Sequence, residues 1–216
     1  MKNFIFISDF DGTLTRTDFF QVLIDNHLKE KAMPSYIKWR EGKIPVFDFL
    51  NIVFTSINCT EAEIYEDIKE IIFDDSSLDL MKRVTENNGD FVILSAGSSY
   101  YIEKLLEYKK IKGIRVISNK GIYKDGGIHM QPDKNSPFFS KISGVDKAKV
   151  VKNFKNQYKK IFYAGDGEPD YKAAIQADLI FARIDLKDML LKRKIDFIDF
   201  DNFTEIKDHL TSIGVI

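Results

Sequence analysis

The sequence predicts an α/β protein built on a doubly wound parallel sheet, with a small helical cap inserted after the first strand. Short apolar runs rich in β-branched and aromatic residues recur at 3–7, 91–94, 160–164 and 179–182. Stretches with apolar residues at helical spacing separate these runs. This alternation favours βαβ units, whose parallel strands are buried on both faces and therefore have nearly continuous apolar sequences.

Two carboxylates follow the first apolar run, in the stretch Ser8-Asp9-Phe10-Asp11-Gly12-Thr13. Ligands of open α/β sheets bind beyond the carboxyl ends of the strands, so this is where chemistry is expected. Adjacent carboxylates repel each other unless a cation neutralises them, and Mg²⁺ takes oxygen ligands that it shares with substrate phosphates. An Asp carboxylate can also act as a nucleophile. The stretch therefore indicates phosphoryl transfer, and the alternative is an acidic turn that uses Gly12 for backbone freedom.

The overall composition is that of an ordinary globular protein. The 216 residues suffice for one core, or for a core and a small cap, and 44% of them are hydrophobic and 30% charged. Lys and Arg number 32 against 33 Asp and Glu, so no basic excess indicates a nucleic-acid partner. The sequence leaves monomer and homodimer both open.

Location in the cell is inferred from segments that the sequence lacks. No run approaches the roughly 18 apolar residues that a membrane span needs, and the run before Asp9 is too short for a signal peptide. Cys59 is the single cysteine, which excludes an intrachain disulfide and predicts a small buried hydrophobe. We therefore expect a cytoplasmic protein without a membrane partner.

Residues 16–77 are predicted to form the helical cap, and residues 1–15 and 78–216 the α/β core. The stretch Thr60-Glu61-Ala62-Glu63 is a capping box that opens a helix expected to run to Ile71 or Ile72. A helical segment placed directly after a catalytic strand is typical of a lid. The alternative is a packing subdomain that makes no contact with substrate.

The second strand, 91–94, is followed by Ser95-Ala96-Gly97 and then by a helix expected from Tyr100 to Tyr108. Small residues at such a position let backbone N–H groups approach an anion at the start of the helix. The same residues also serve in ordinary strand-to-helix turns, and this stretch alone does not decide between the two. Residues 111–143 are predicted to be an irregular insertion that begins with a strand at 114–118.

Two further segments carry candidate site residues. A helix is expected to begin after Asp146, and its first turn contains Lys147, although a cation there is unfavourable for the helix dipole. Lys149 is the competing candidate. The strand 160–164 ends in Gly165-Asp166-Gly167-Glu168-Pro169-Asp170, which places a second acidic group at a strand end, ahead of a helix expected from Tyr171 to Ala177.

These four segments, in this order, resemble the signatures of the haloacid dehalogenase-like phosphohydrolases, and the helical segment resembles the cap of their phosphoserine-phosphatase-like branch. The resemblance implies catalytic roles for Asp9 as nucleophile, Asp11 as general acid and base, and Lys147. It implies phosphate binding by Ser95, Ala96, Gly97, Lys147 and Thr13. It implies a Mg²⁺ site at Asp9, Asp11 (through its backbone carbonyl), Asp166 and Asp170, the last as a ligand or as a partner that orients water and Lys147.

The resemblance predicts a Mg²⁺-dependent phosphatase that hydrolyses a small phosphorylated metabolite through an aspartyl-phosphate intermediate. An acid at Asp11 favours ester hydrolysis over dehalogenation, which needs no proton donor there. Residues 178–183 also resemble the methionine-salvage hydroxy-keto-methylthiopentenyl-phosphate phosphatases, which often carry cysteines before the lysine helix where this chain has none. The alternatives are a phosphotransferase or phosphomutase, and a receiver-like module that accepts a phosphoryl group as a signal.

Overall fold

The computed structural model describes residues 2–216 and confirms the α/β fold. The strands are β1 (Lys2–Ser8), β2 (Gly89–Ser98), β3 (Arg115–Lys124), β4 (Gly127–Gln131), β5 (Phe139–Ser140), β6 (Gly144–Val145), β7 (Tyr158–Gly165), β8 (Leu179–Ala182) and β9 (Ile198–Asp199). The helices are α1 (Phe19–Leu23), α2 (Met33–Arg40), α3 (Val46–Ser56), α4 (Glu61–Lys69), α5 (Ser77–Glu86), α6 (Ser99–Tyr108), α7 (Lys147–Phe154), α8 (Glu168–Ala174), α9 (Ile184–Lys192) and α10 (Phe203–Ser212). A π-helical turn (Ile24–Leu28) and a 3-10 helix (Lys29–Ala32) lie between α1 and α2.

The chain divides into two compact units. The first comprises the chain through Arg16, Phe73–Leu94 and Lys147–Ile216, and the second comprises Thr17–Ile72 and Ser95–Asp146. Our sequence-based division assigned residues 95–146 to the core, whereas these units group them with the helical segment. That the helical segment acts as a cap over a catalytic site stays a prediction.

Parallel strands form the sheet of the first unit, in the order β2-β1-β7-β8-β9. The residues of β1 from Phe4 to Ile7 are at most 5% exposed, as the apolar run predicted. Ser8 at the end of β1 lies opposite Ile93 of β2 and Ala164 of β7. Because the strands are parallel, the residues that follow β1 and β7 emerge at the same edge of the sheet.

Helices in the first unit form two packed groups, α5 with α10, and α8 with α7 and α9. The helix expected from Tyr171 begins three residues earlier, at Glu168. The reason is that Asp170 accepts hydrogen bonds from the backbone N–H groups of Asp166 and Gly167, which caps the first turn, and Pro169 fits an N-terminal helical position. This shift places Asp170 inside the first turn of α8.

The second unit combines the helices α1 to α4 and α6 with the antiparallel pair β3–β4. The rings of Phe19, Phe54 and Tyr101 form a buried aromatic cluster, with centroids 4.5–6.0 Å apart. The capping box of Thr60 and Glu63 is present as predicted, but the helix ends at Lys69 rather than at Ile71. Within residues 2–216, no helix is both long and apolar enough to cross a bilayer.

Candidate active site

Three carboxylates converge at the carboxyl ends of the parallel strands. Asp9 follows β1 and its N–H donates to the carbonyl of Ala164, which prolongs the pairing of β1 with β7. Asp166 follows β7, and Asp170 lies in the first turn of α8. One carboxylate oxygen from each of the three lies within 4.8 Å of those of the other two. We call Asp9, Asp166 and Asp170 the acidic cluster.

Lys147 is the cation of this cluster. Its side chain is 3% exposed, and its Nζ atom donates to Asp9 Oδ1 at 2.6 Å and to Asp170 Oδ1 at 2.7 Å. Lys149, the competing candidate, lies on the same helix and is exposed. The structure therefore places Lys147 beside the carboxylates, at the first residue of α7.

Four donors surround the carboxylate of Asp170, which is buried. Its Oδ1 atom accepts from Lys147 Nζ and from the hydroxyl of Tyr163 at 2.6 Å. Its Oδ2 atom accepts from the backbone N–H groups of Asp166 at 3.2 Å and Gly167 at 3.1 Å. Of the two roles expected for Asp170, these bonds fit a residue that orients Lys147 better than one that ligates a cation.

The carboxylate of Asp166 accepts a hydrogen bond from Thr13 and packs against Gly12. The hydroxyl of Thr13 donates to Asp166 Oδ1 at 3.0 Å. The expected contact of this hydroxyl with phosphate stays a prediction. Gly12 has a φ of +72°, and a Cβ atom there would lie 2.4 Å from Asp166 Oδ2. Glycine is therefore required both for the backbone conformation and for the close approach of Asp166.

Arg183 fixes the segment that follows Asp11. Its guanidinium is buried and donates to the carbonyl of Gly12, to Thr13 O at 2.9 Å and to Thr15 O at 3.2 Å. It also donates to Asp201 O at 3.1 Å. Sequence reasoning missed this residue, although an arginine directly after the buried strand 179–182 is a signal for a polar role at the same sheet edge.

Asp11 lies in the turn after Asp9 and is half-buried. Its carboxylate is outside the acidic cluster as found among the described residues. The sequence assigned its backbone carbonyl to the metal and its side chain to proton transfer. Both roles stay predictions.

Ser95, Ala96 and Gly97 lie within β2, which extends to Ser98 rather than ending at Leu94. Ser98, the last residue of the strand, caps the next helix, and its Oγ accepts from Tyr100 N–H. Ser95 is buried, and its Oγ accepts from Gly97 N–H at 2.9 Å. A hydroxyl that accepts in this way keeps its own proton for donation to an anion.

Asn119 ties the segment around Ser95 to Ser143, within the second unit. The Asn119 side-chain amide donates to Ala96 O at 2.7 Å and to Ser143 O at 2.9 Å. Gly144 permits this contact, since a Cβ atom there would lie 1.9 Å from Asn119 Oδ1. Asn119 is another buried polar residue that the sequence did not single out.

The acidic cluster shifts the pKa values of its members. Burial, together with the charges of Asp170 and Asp166, raises the pKa of Asp9 well above its ordinary value, and Lys147 only partly opposes this. Burial and the charge of Asp170 raise the pKa of Asp166 to about 7. Burial alone would lower the pKa of Lys147, but the carboxylates of Asp170 and Asp9 outweigh it and hold the pKa above its ordinary value.

The donor set fits a divalent cation. Three carboxylates share one ammonium, and the raised pKa values of Asp9 and Asp166 reflect the resulting excess of buried negative charge. A hard cation with oxygen ligands would relieve it. Asp9 and Asp166 are the better candidates for ligands, because the four donors around Asp170 already use its oxygens.

Comparison with known proteins identifies the family of this chain. A family model described as haloacid dehalogenase-like hydrolase matches residues 6–174. A 2-hydroxy-3-keto-5-methylthiopentenyl-1-phosphate phosphatase of Bacillus velezensis is 26% identical over 219 residues, covering 98% of this chain and 92% of that protein. A polyol phosphate phosphatase of Saccharomyces cerevisiae is 27% identical over 241 residues, covering 95% of this chain and 92% of that protein.

Solved structures agree on the fold. A substrate-bound phosphoserine phosphatase superimposes with a TM-score of 0.71 at 17% identity, covering 97% of this chain and 99% of that one. The family match spans most of the chain and includes Asp9, Lys147, Asp166 and Asp170. The chain therefore belongs to the haloacid dehalogenase-like hydrolase family, as a phosphatase.

Proposed function

We propose that this protein is a Mg²⁺-dependent phosphatase that hydrolyses a small phosphate monoester through an aspartyl-phosphate formed on Asp9. The observation that carries the proposal is the contact of Asp9 with Lys147 at a strand end, inside a cluster with more carboxylates than cations. A nucleophilic carboxylate needs its negative charge stabilised until the phosphoryl group arrives, and Lys147 supplies that stabilisation.

Asp9 and Asp166, with the backbone carbonyl of Asp11, would hold Mg²⁺. When bound, the ion would neutralise the cluster and draw charge from the phosphate oxygens. The donor chemistry supports this assignment, because carboxylate and carbonyl oxygens are the protein ligands that Mg²⁺ prefers.

In the first half-reaction the Asp9 carboxylate attacks phosphorus, and the bond from phosphorus to the ester oxygen breaks. Asp11 donates a proton to the leaving oxygen, which departs as an alcohol. Lys147, the Ser95 hydroxyl and the backbone around Ala96 stabilise the phosphoryl oxygens, which carry most of the transition-state charge.

In the second half-reaction the Asp11 carboxylate accepts a proton from water. That water attacks the phosphorus of the aspartyl-phosphate, and the bond from phosphorus to Asp9 breaks. Inorganic phosphate leaves, and Asp11 is again protonated for the next cycle. One residue thus serves as acid and then as base, as the two half-reactions require.

The names of the relatives support a substrate class. They are named for a methylthiopentenyl phosphate and for polyol phosphates, and several structural neighbours are phosphoserine phosphatases. All of these are small phosphate monoesters of alcohols, and we propose one of this class for the present chain. Membership of a hydrolase family favours catalysis over the receiver-like module.

The test is phosphate release from p-nitrophenyl phosphate and a panel of polyol phosphates, phosphoserine and the methylthiopentenyl phosphate. Each ester is assayed with Mg²⁺ and with EDTA, with and without a second alcohol as acceptor. Mg²⁺-dependent phosphate release is the expected result. Transfer to the acceptor without phosphate release would instead indicate a phosphotransferase. Absence of both from folded protein would contradict the proposal.

A further inference from the structure

Tyr163 contacts the acidic cluster, and neither the sequence nor the family resemblance gives it a role. It lies on β7 opposite Ile7 of β1 and is fully buried. Its hydroxyl donates to Asp170 Oδ1 at 2.6 Å. A phenylalanine would fill the same apolar position, so packing of the core does not require the hydroxyl.

The hydroxyl of Tyr163 shares one oxygen atom with Lys147. Asp170 Oδ1 accepts from Tyr163 and, at 2.7 Å, from Lys147 Nζ, while Oδ2 accepts from two backbone N–H groups. Lys147 Nζ in turn donates to Asp9 Oδ1 at 2.6 Å. A continuous chain of hydrogen bonds therefore runs from Tyr163 through Asp170 and Lys147 to Asp9.

We propose that Tyr163 is a positioning residue for phosphoryl transfer, whose hydroxyl holds Asp170 so that the ammonium of Lys147 is shared between Asp170 and Asp9. The inference rests on the proposed roles of Asp9 and Lys147. A carboxylate oxygen that accepts from a neutral donor as well as from the ammonium attracts that ammonium less strongly. Removal of the hydroxyl lets Asp170 draw Lys147 away from Asp9 and from the position of the phosphoryl oxygens.

The test compares Tyr163→Phe with Tyr158→Phe. Tyr158 lies on the same strand and donates to Asp90 Oδ2 at 2.5 Å, so both variants remove a bond from a tyrosine hydroxyl to a carboxylate. Loss of a hydrogen bond to a charged group corresponds to about a tenfold or larger effect. We expect Tyr163→Phe to lower kcat for p-nitrophenyl phosphate about tenfold with little change in KM, and Tyr158→Phe to leave kcat unchanged.

Orthovanadate, which mimics the transferring phosphoryl group, gives a second readout. Its inhibition constant should rise in Tyr163→Phe by a factor similar to the fall in kcat/KM, since Lys147 contacts the group in both cases. A double-mutant cycle with Asp170→Asn tests the route of the effect. If Tyr163 acts through Asp170, Tyr163→Phe lowers kcat by less than about twofold when Asp170→Asn is already present.

The role of Tyr163 and the phosphatase activity can fail independently. Wild-type protein that neither releases phosphate nor binds orthovanadate by calorimetry overturns both. An active wild type whose Tyr163→Phe variant keeps its kcat and vanadate inhibition constant within twofold overturns only the role of Tyr163. The same conclusion follows if the variant fails to fold, or if its effect adds fully to that of Asp170→Asn, because the hydroxyl would then be structural.

Discussion

Two clusters of polar side chains, each with at least one buried aspartate, differ in how their carboxylates are paired. In the second unit Asp67 is 5% exposed, and its carboxylate contacts His27 Nε2 at 2.7 Å and Asn26 Nδ2 at 2.8 Å. The Nδ1 atom of His27 lies 3.2 Å from Cys59 Sγ. In this Asp67 cluster (Asn26, His27, Cys59 and Asp67), one carboxylate has a donor for each of its oxygens. The acidic cluster instead has three carboxylates and one ammonium.

The difference predicts that the Asp67 cluster is structural and that the acidic cluster is functional. A buried carboxylate whose oxygens are paired needs no further partner and can hold helices together. Buried carboxylates in excess over cations destabilise the fold unless something else binds, and such sites are typical of catalysis. The comparison therefore predicts that changes in the acidic cluster affect activity, and that changes in the Asp67 cluster affect stability alone.

Removal of the ammonium that contacts Asp9 and Asp170 should have the largest effect. Lys147→Met leaves Asp9 and Asp170 buried without a counter-charge, a loss that costs about 3–5 kcal/mol in folding free energy. We expect a lower denaturation midpoint and at least about a hundredfold loss of kcat/KM. Lys149→Met, on the same helix but exposed, is the control and should match wild type in both measurements.

The pH dependence of stability follows from the raised pKa values of Asp9 and Asp166, and burial raises that of Asp166 from 3.8 to about 7. The folded metal-free protein binds protons there that the unfolded chain has already released, so stability falls as pH rises from about 4 to 7. We expect a loss of about 2–4 kcal/mol across this window. Thermal unfolding in EDTA should show this fall in stability with rising pH. Both the addition of Mg²⁺ and the substitution Asp166→Asn should make the fall smaller. An equal slope in Asp166→Asn would refute this assignment.

Two glycines of similar backbone conformation test the close packing around Asp166. Gly12 has φ +72° and Gly42 in the second unit φ +71°, but a Cβ atom would meet Asp166 only at position 12. Gly42→Ala should cost about 1 kcal/mol, the penalty of the left-handed conformation, and keep full activity. Gly12→Ala should cost at least about 1 kcal/mol more and abolish most phosphate release. Equal effects of the two variants in urea unfolding would count against this packing.

The smallest effect is expected in the Asp67 cluster. Cys59→Ala removes one small buried side chain and its contact with His27, and we expect a loss of about 1 kcal/mol or less in unfolding free energy. Phosphate release should not change. A tenfold loss of kcat would show that the comparison between the clusters is wrong and that the Asp67 cluster takes part in catalysis.

The sequence alone was enough to find those candidate site residues that directly follow a strand. Asp9 and Asp166 could be found because each follows an apolar run, and parallel strands bring such positions to one edge. Lys147 could be placed at a helix start, but the choice over Lys149 needed the direction of its side chain. Arg183 was missed because its carbonyl partners, from Gly12 to Thr15, lie 168 to 171 residues away along the chain. Tyr163 was missed although its partner Asp170 is only seven residues away, because a tyrosine within an apolar run is typical of a core residue.

Whether Asp9 is the nucleophile can be decided by rapid acid quench of the wild-type protein during turnover, followed by mass spectrometry of the peptide that contains Asp9. A phosphoryl group on Asp9 is the predicted result. It should be absent from Asp9→Asn, whose phosphate release should fall at least about a thousandfold, while Asp67→Asn should keep both the intermediate and its activity. Asp9 is not the nucleophile if the wild type turns over rapidly with no phosphoryl group on Asp9, or if Asp9→Asn turns over rapidly.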